Sequence, residues 1–332
     1  MRFRLPPSRA LLAAISLATP LSTPALAGPL DPRLIPADAI WAAHLDMDAA
    51  ATSPVCTFMR TSMPPELRAA LDDFTARFGL DPFTDIHGIT VFGRDHVQRS
   101  GAAIVITSTA TDQLPERLAA AKLPGFTATA SPTITRMSWT DNGKSWHAAI
   151  LRPTSDTRAL IFTGSEADLD SAIPLVEPSR AAEATLALTD RRPREGSFFF
   201  AAVRDIAGAS DESPRAQVLK AATSLSIDVG ESRATSDVTL FAHVRMDAAS
   251  PKDATNIRDM VQGMMAVAKL GFRARPDLAS EIDSLMASAK LSTTESAFNF
   301  DAEHPAKEVI RVMDLLSKDP PATPNEPTAK PK

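Results

Sequence analysis

The sequence predicts an α+β fold, with antiparallel or mixed sheets covered by helices and two halves of similar element order. Three observations carry this. Period-two apolar alternation, the mark of a half-buried strand, gives way repeatedly to helical stripes. An Asn-Gly pair, Asn142-Gly143, lies between two strand-like runs. The order strand, helix, strands, helix is traversed twice, and Ala42-Ala43-His44-Leu45-Asp46-Met47 aligns with Ala201-Ala202-Val203-Arg204-Asp205-Ile206, which predicts an internal duplication.

The first half is assigned to residues 28–176. Ala39 to Asp46 is a near-continuous apolar run, as in a strand covered on both faces. Met47 to Arg60 reads as one helix capped by Asp46 or Asp48. Glu66 to Phe78 reads as a second, with Pro65 suited to its first position and Gly79 placed to end it. Gly88 to Gly93 and Gly101 to Thr107 are strands, and Asp112 to Lys122 is a helix. Asn142-Gly143 tolerates the positive φ of a type I′ turn, which pairs Trp139 with Trp146, Met137 with Ala148 and Thr135 with Ile150 on one surface. Thr157 to Thr163 follows as a strand, and Ser165 caps a helix to about Leu175.

A Pro-rich and charged connection, 177–196, leads to the second half, 197–317. Ser197 to Val203 is a strand, and Leu225, Ile227 and Val229 alternate in the next. Val238, Leu240, Ala242, Val244 and Met246 mark a long strand with one buried face, which places His243 on the polar set with Thr239, Phe241 and Arg245. Asp253 to Leu270 carries Ile257, Met260, Val261, Met264, Val267 and Ala268 as a stripe that reads as core packing. Asp277 to Ala289, a strand with Phe298 and Phe300, and a helix from Pro305 to Leu316 complete the body. The tail 318–332 holds five prolines and no large apolar residue, so it predicts a disordered, partly polyproline segment.

The first 27 residues have the three parts of a secretory signal peptide: Arg2, Arg4 and Arg9, the short apolar run Ala10 to Ala18, and Ala25-Leu26-Ala27 before Gly28. The expectation is a periplasmic or secreted protein. Removing that segment leaves 32 basic against 40 acidic residues, and such an acidic chain repels nucleic acid and anionic membranes on average. No integral membrane span is expected after signal removal. Cys56 is the single cysteine; it excludes a disulfide framework and, in its apolar run, reads as buried and inert.

Ile35-Pro36-Ala37-Asp38, a strand ending at Asp46, a helix, and then Gly79-Leu80-Asp81-Pro82-Phe83-Thr84-Asp85-Ile86 before another strand form a pattern over Ile35 to Gly93. In this the chain resembles uncharacterised exported α+β proteins of planctomycete-type bacteria. The resemblance implies export and a two-part α+β body, and it carries no catalytic residues.

Familiar catalytic motifs are missing from the sequence: no Gly-x-Ser-x-Gly, no Ser-x-x-Lys, no His-Glu-x-x-His, no dinucleotide or phosphate-loop glycines. His44-x-Asp46-x-Asp48 has metal-type donors, yet both acids suit capping. Asp85-x-His87 with Asp95-His96 reads as solvated turn residues bracketing a strand. Asp72-Asp73 and Asp211-Glu212 are common pairs in an acidic chain, and Arg191-Arg192-Pro193-Arg194 reads as a solvated linker. No catalytic, cofactor or metal residue is assigned, no cofactor is expected, and the enzyme question leans to no. The expectation is a non-enzymatic binding or structural module whose partner is an envelope protein or small ligand. The alternatives are a carrier of an apolar or lipid ligand and a hydrolase with a non-local site.

Overall fold

The computed structural model describes residues 30–96, 100–177, 188, 192–206, 221–233, 237–272 and 276–318. The signal-like segment, Asp211-Glu212, Arg191 and the tail beyond Lys318 lie outside them. One antiparallel sheet of twelve strands runs through both halves, in the order β11-β12-β10-β9-β8-β1-β2-β3-β7-β6-β5-β4. The strands are β1 Trp41–Asp46, β2 Ile86–Gly93, β3 Gly101–Thr107, β4 Thr127–Ala130, β5 Ile134–Asp141, β6 Lys144–Leu151, β7 Arg158–Thr163, β8 Ser197–Arg204, β9 Ala222–Ser232, β10 Thr239–Ala248, β11 Ala289–Thr294 and β12 Ala297–Pro305. Their alternation with eight helices among the described residues gives the α+β class that the patterning predicts. The halves join where β1 pairs with β8, so they share one sheet.

The apolar run from Met47 to Arg60 is two helices rather than one: α1 Met47–Ala51 and α2 Pro54–Thr61. Pro54 supplies no N–H to continue α1, and Ser53 takes the cap of α2 by accepting from the Cys56 N–H. Asp46 caps α1 by accepting from the Ala49 N–H at 2.9 Å. Helix α3, Pro65–Phe78, starts on its proline and stops at Gly79, whose φ of 69° is left-handed and whose N–H bonds to the Thr75 carbonyl. A side chain at Gly79 would overlap the Arg117 guanidinium on the neighbouring helix α4, Leu114–Ala120. The Asp81 to Asp85 segment is a closed turn: Asp81 accepts from the Phe83 N–H, and Asp85 takes the Asp81 N–H and the Ser108 hydroxyl. The motif that carries the resemblance is therefore a helix stop and a turn that pins β2 to the end of β3.

The hairpin has the predicted register, with Trp139 opposite Trp146 and Met137 opposite Ala148. Asn142 and Gly143 have φ of 53° and 74°, as a type I′ turn requires. The Trp139 ring packs edge-on against Phe162. The edge strands β4 and β11 are not foreseen by the patterning; β4 is Thr-Ala-Thr-Ala, without an apolar stripe.

Both faces of the first half are covered. On one face Ala42, Phe92, Ile104, Ala149 and Ile161 pack under Leu169 and Ala172 of α5, Glu166–Ala172, with Leu34 and Ile173 beside them. On the other, Leu45, Ile89, Val105, Met137 and Ile150 pack under α1, α2 and α4. The second half places helix α6, Pro251–Phe272, on this second face, where Ala254 and Ile257 close on Met246 and Phe298. Helices α7, Pro276–Ser288, and α8, Ala306–Lys318, pack together through Leu278, Ile282 and Val312, and α8 also meets α2. The even positions of β10 thus face helices, as the alternation predicts. The odd positions are nonetheless the more buried: Phe241 is 3% exposed and His243 6%.

Candidate functional site

Two features could carry function: a buried polar row across the sheet and an apolar stripe on α6. The row follows from register. Asp301 of β12 pairs across to His243 of β10, His243 to Asp228 of β9, Asp228 to Phe200 of β8, Phe200 to His44 of β1, and His44 to Thr90 of β2. Side chains directly opposite on one face are neighbours, so two imidazoles and two carboxylates share a line.

His243 Nδ1 is hydrogen-bonded to Asp301 Oδ1 at 2.5 Å. Its ring lies 5.3 Å from that of Phe241. Asp228 Oδ2 accepts from the Arg194 N–H, and the Arg194 guanidinium approaches Asp301 and Glu303 at 3.8 and 3.6 Å. His44 Nδ1 is bonded to Thr90 Oγ1 at 2.9 Å, and burial holds the imidazole down to about 4. The Nε2 atoms of both histidines and Asp228 Oδ1 are buried without a hydrogen-bond partner among the described residues. An Asp–His pair is the usual support of a general base, but here no described hydroxyl or thiol is bonded to either Nε2. Among the described residues the row is an oriented polar spine without a nucleophile attached to it.

The histidine clusters of the sequence are rearranged. His44 turns to Thr90, and Asp46 caps α1; burial raises the Asp46 carboxyl to about 6, against a smaller opposing effect of the Ala49 N–H. Asp48 instead meets His87 at 3.2 Å, a contact that raises the imidazole above its ordinary value. Asp85 and Asp95 fall at opposite ends of β2, each accepting from a serine, Ser108 and Ser100. Among the described residues no three such groups converge as a metal site. Asp72 and Asp73 are exposed on α3. Cys56 is buried, and burial pushes its thiol up, as expected of an inert cysteine. His243, placed by the alternation on the polar set opposite the buried face of its strand, is nonetheless buried, and Asp228 and Asp301 from neighbouring strands supply polar company that alternation along one strand does not reveal.

The second feature corrects the core reading of the α6 stripe. Ile257 is buried and Met260 and Val261 are partly covered, but Met264, Val267 and Leu270 are 48%, 69% and 59% exposed. These three are the exposed large hydrophobic residues among the described residues, and all stand on one helix. At 100° per residue they span one face, and Gly263 and Gly271 lie on the same face with no atom within 4 Å of an added Cβ. Each helical glycine costs about 1 kcal/mol relative to alanine. Lys269, on the opposite side, pairs with Asp283 of α7 at 2.9 Å.

An apolar crevice of about 230 Å³ lies where α2 and α3 meet α8, lined by Phe58, Met59, Met63, Pro64, Leu67 and Met313 with Ser62 and Ser317. It is smaller than the roughly 300–1,000 Å³ of ordinary ligand pockets. No helix is long and apolar enough to cross a membrane among the described residues. No family, no curated protein and no solved structure matches the chain.

Proposed function

We propose that this is an exported, non-enzymatic binding module whose working surface is the outer face of α6. The carrying observation is the alignment of Met264, Val267 and Leu270 on one exposed helical face. Scattered surface hydrophobics are ordinary, whereas aligned ones mark association sites. Met adapts to an irregular partner, and the two glycines let another helix approach closely. The partner is an envelope protein that presents an apolar helix. Secretion rests on the signal-like first 27 residues, and intact-mass analysis of the exported chain tests it: a start at Gly28 supports it, and a retained Met1 contradicts it.

The binding role is tested with Val267→Glu. The wild-type chain is expected to migrate in a complex with its envelope partner on sedimentation, and the variant to sediment as the lone chain with unchanged melting. Identical sedimentation of the two chains contradicts the reading.

We also infer that the halves descend from one duplicated unit. Each runs three adjacent strands, β1-β2-β3 and β8-β9-β10, and each returns its last strand, β7 or β12, to the side of the third. A helix follows in both, α5 and α8. Ala42 pairs with Ala202 and Ala43 with Ala201, as a two-fold axis between aligned alanines requires. Superposing the two sets of strands tests this: overlay in the register that places Ala42 on Ala201 supports duplication, and any other register contradicts it.

A further inference from the structure

The crevice between the halves suggests an occupant within the chain itself. Its floor and near wall come from the end of α2, the link Ser62-Met63-Pro64 and the start of α3. Its far wall is Met313 and Ser317 of α8. The lining is apolar apart from two serines, and its about 230 Å³ suits one or two prolyl rings rather than a lipid chain. The chain leaves α8 at Lys318, one residue after the wall residue Ser317, and continues Asp319-Pro320-Pro321-Ala322-Thr323-Pro324.

We propose that the crevice is a polyproline docking site filled in cis by the Pro320-Pro321 segment of the tail. At about 3.1 Å per residue, Pro320 and Pro321 come within roughly 10 Å of Ser317, so the tether spans the distance. A short tether holds the tail at an effective concentration on the order of millimolar, so even weak affinity keeps the crevice occupied. Proline is well matched to such a crevice. Its φ is already fixed, it brings no N–H to desolvate, and Pro-rich segments dock in apolar and aromatic-lined grooves. Docking there fastens the tail across the seam where α8 of the second half meets α2 of the first. This inference does not depend on the α6 surface.

The test uses the full mature chain with methyl-labelled methionine and compares it with a Pro320→Gly/Pro321→Gly variant by NMR. The methyl signals of Met59, Met63 and Met313 are expected to differ between the two, and that of Met137, buried in the hairpin strand β5, to stay fixed. A synthetic peptide of residues 319–332 at millimolar concentration should return the variant's three signals toward the wild-type positions and leave the wild type unchanged. Identical spectra for the two chains overturn the proposal. So does a peptide that shifts both chains equally, because the crevice would then be open in the wild type.

Discussion

The first seven strands and the last five treat the two faces of one sheet differently. Around β2, β3 and β7 aliphatic side chains fill both faces, and helical segments close over each. Around β9, β10 and β12 helices gather on one face, and the other carries the Asp228, His243 and Asp301 line. The first region turns its apolar surface inward. The second leaves part of it outward on α6 and keeps Asp228 and His243 buried in the sheet. Two-sided aliphatic packing thus lies on one side of the β1–β8 seam, and the buried polar line and the exposed apolar stripe lie on the other.

The largest effect that sharpens this contrast is expected at Phe92. It is fully buried, with Ala42 and Ala102 opposite it on the neighbouring strands, and alanines are too small to refill the space. Phe92→Ala should cost about 3–5 kcal/mol in urea denaturation. A loss below about 1 kcal/mol would show that the first half is not close-packed.

The seam itself comes next. Ser53 Oγ accepts from the Cys56 N–H and donates to Glu231 Oε1 of β9 at 2.5 Å, so one hydroxyl caps α2 and bonds one oxygen of a buried acid of the other half, whose Oε2 has no hydrogen-bond partner among the described residues. Ser53→Ala should cost about 2–3 kcal/mol, a cap together with an orphaned carboxylate oxygen. A loss no larger than that of Ser165→Ala, which removes the cap of α5 without touching the second half, contradicts this coupling.

Acid separates two neighbours in β1. Burial lowers His44 to about 4, so its neutral form favours the fold above pH 6.5 and that contribution is lost as pH falls toward 4. Burial raises Asp46 to about 6, so its protonated form favours the fold below pH 3.8 and that contribution is lost as pH rises through 6. Across pH 4 to 6.5 the two oppose each other, each on the order of 3 kcal/mol. Melting curves should show His44→Leu losing less stability than the wild type on acidification and Asp46→Asn losing more. Parallel curves for all three chains would remove the assignment.

Much of the first half is legible because its signals are local. Asn142-Gly143 states its turn, Gly79 its helix stop, and Ser165 its cap. Pro54 marks the break between α1 and α2, but the apolar run around it masks the mark. The edge strands β4 and β11 are illegible because an edge strand needs only one pairing partner and little apolar surface. The polar row is illegible for a different reason: His44, Asp228, His243 and Asp301 meet through register across strands far apart in sequence. Periodicity identifies the α6 stripe but says nothing of what covers it, so core and surface readings of Met264 and Val267 are identical in sequence.

The smallest effect on stability is expected where the effect on function is largest. Val267→Glu should change folding free energy by no more than about 0.5 kcal/mol, because the position is exposed. The direct measurement is photo-crosslinking in the intact envelope from a reactive residue at 267, with one at 68, on exposed α3, as the reference. A discrete adduct from 267 that disappears on Met264→Glu, with none from 68, is the predicted result. Equal adducts from both positions, or one from 267 that survives Met264→Glu, would contradict the assignment of α6 as the working surface.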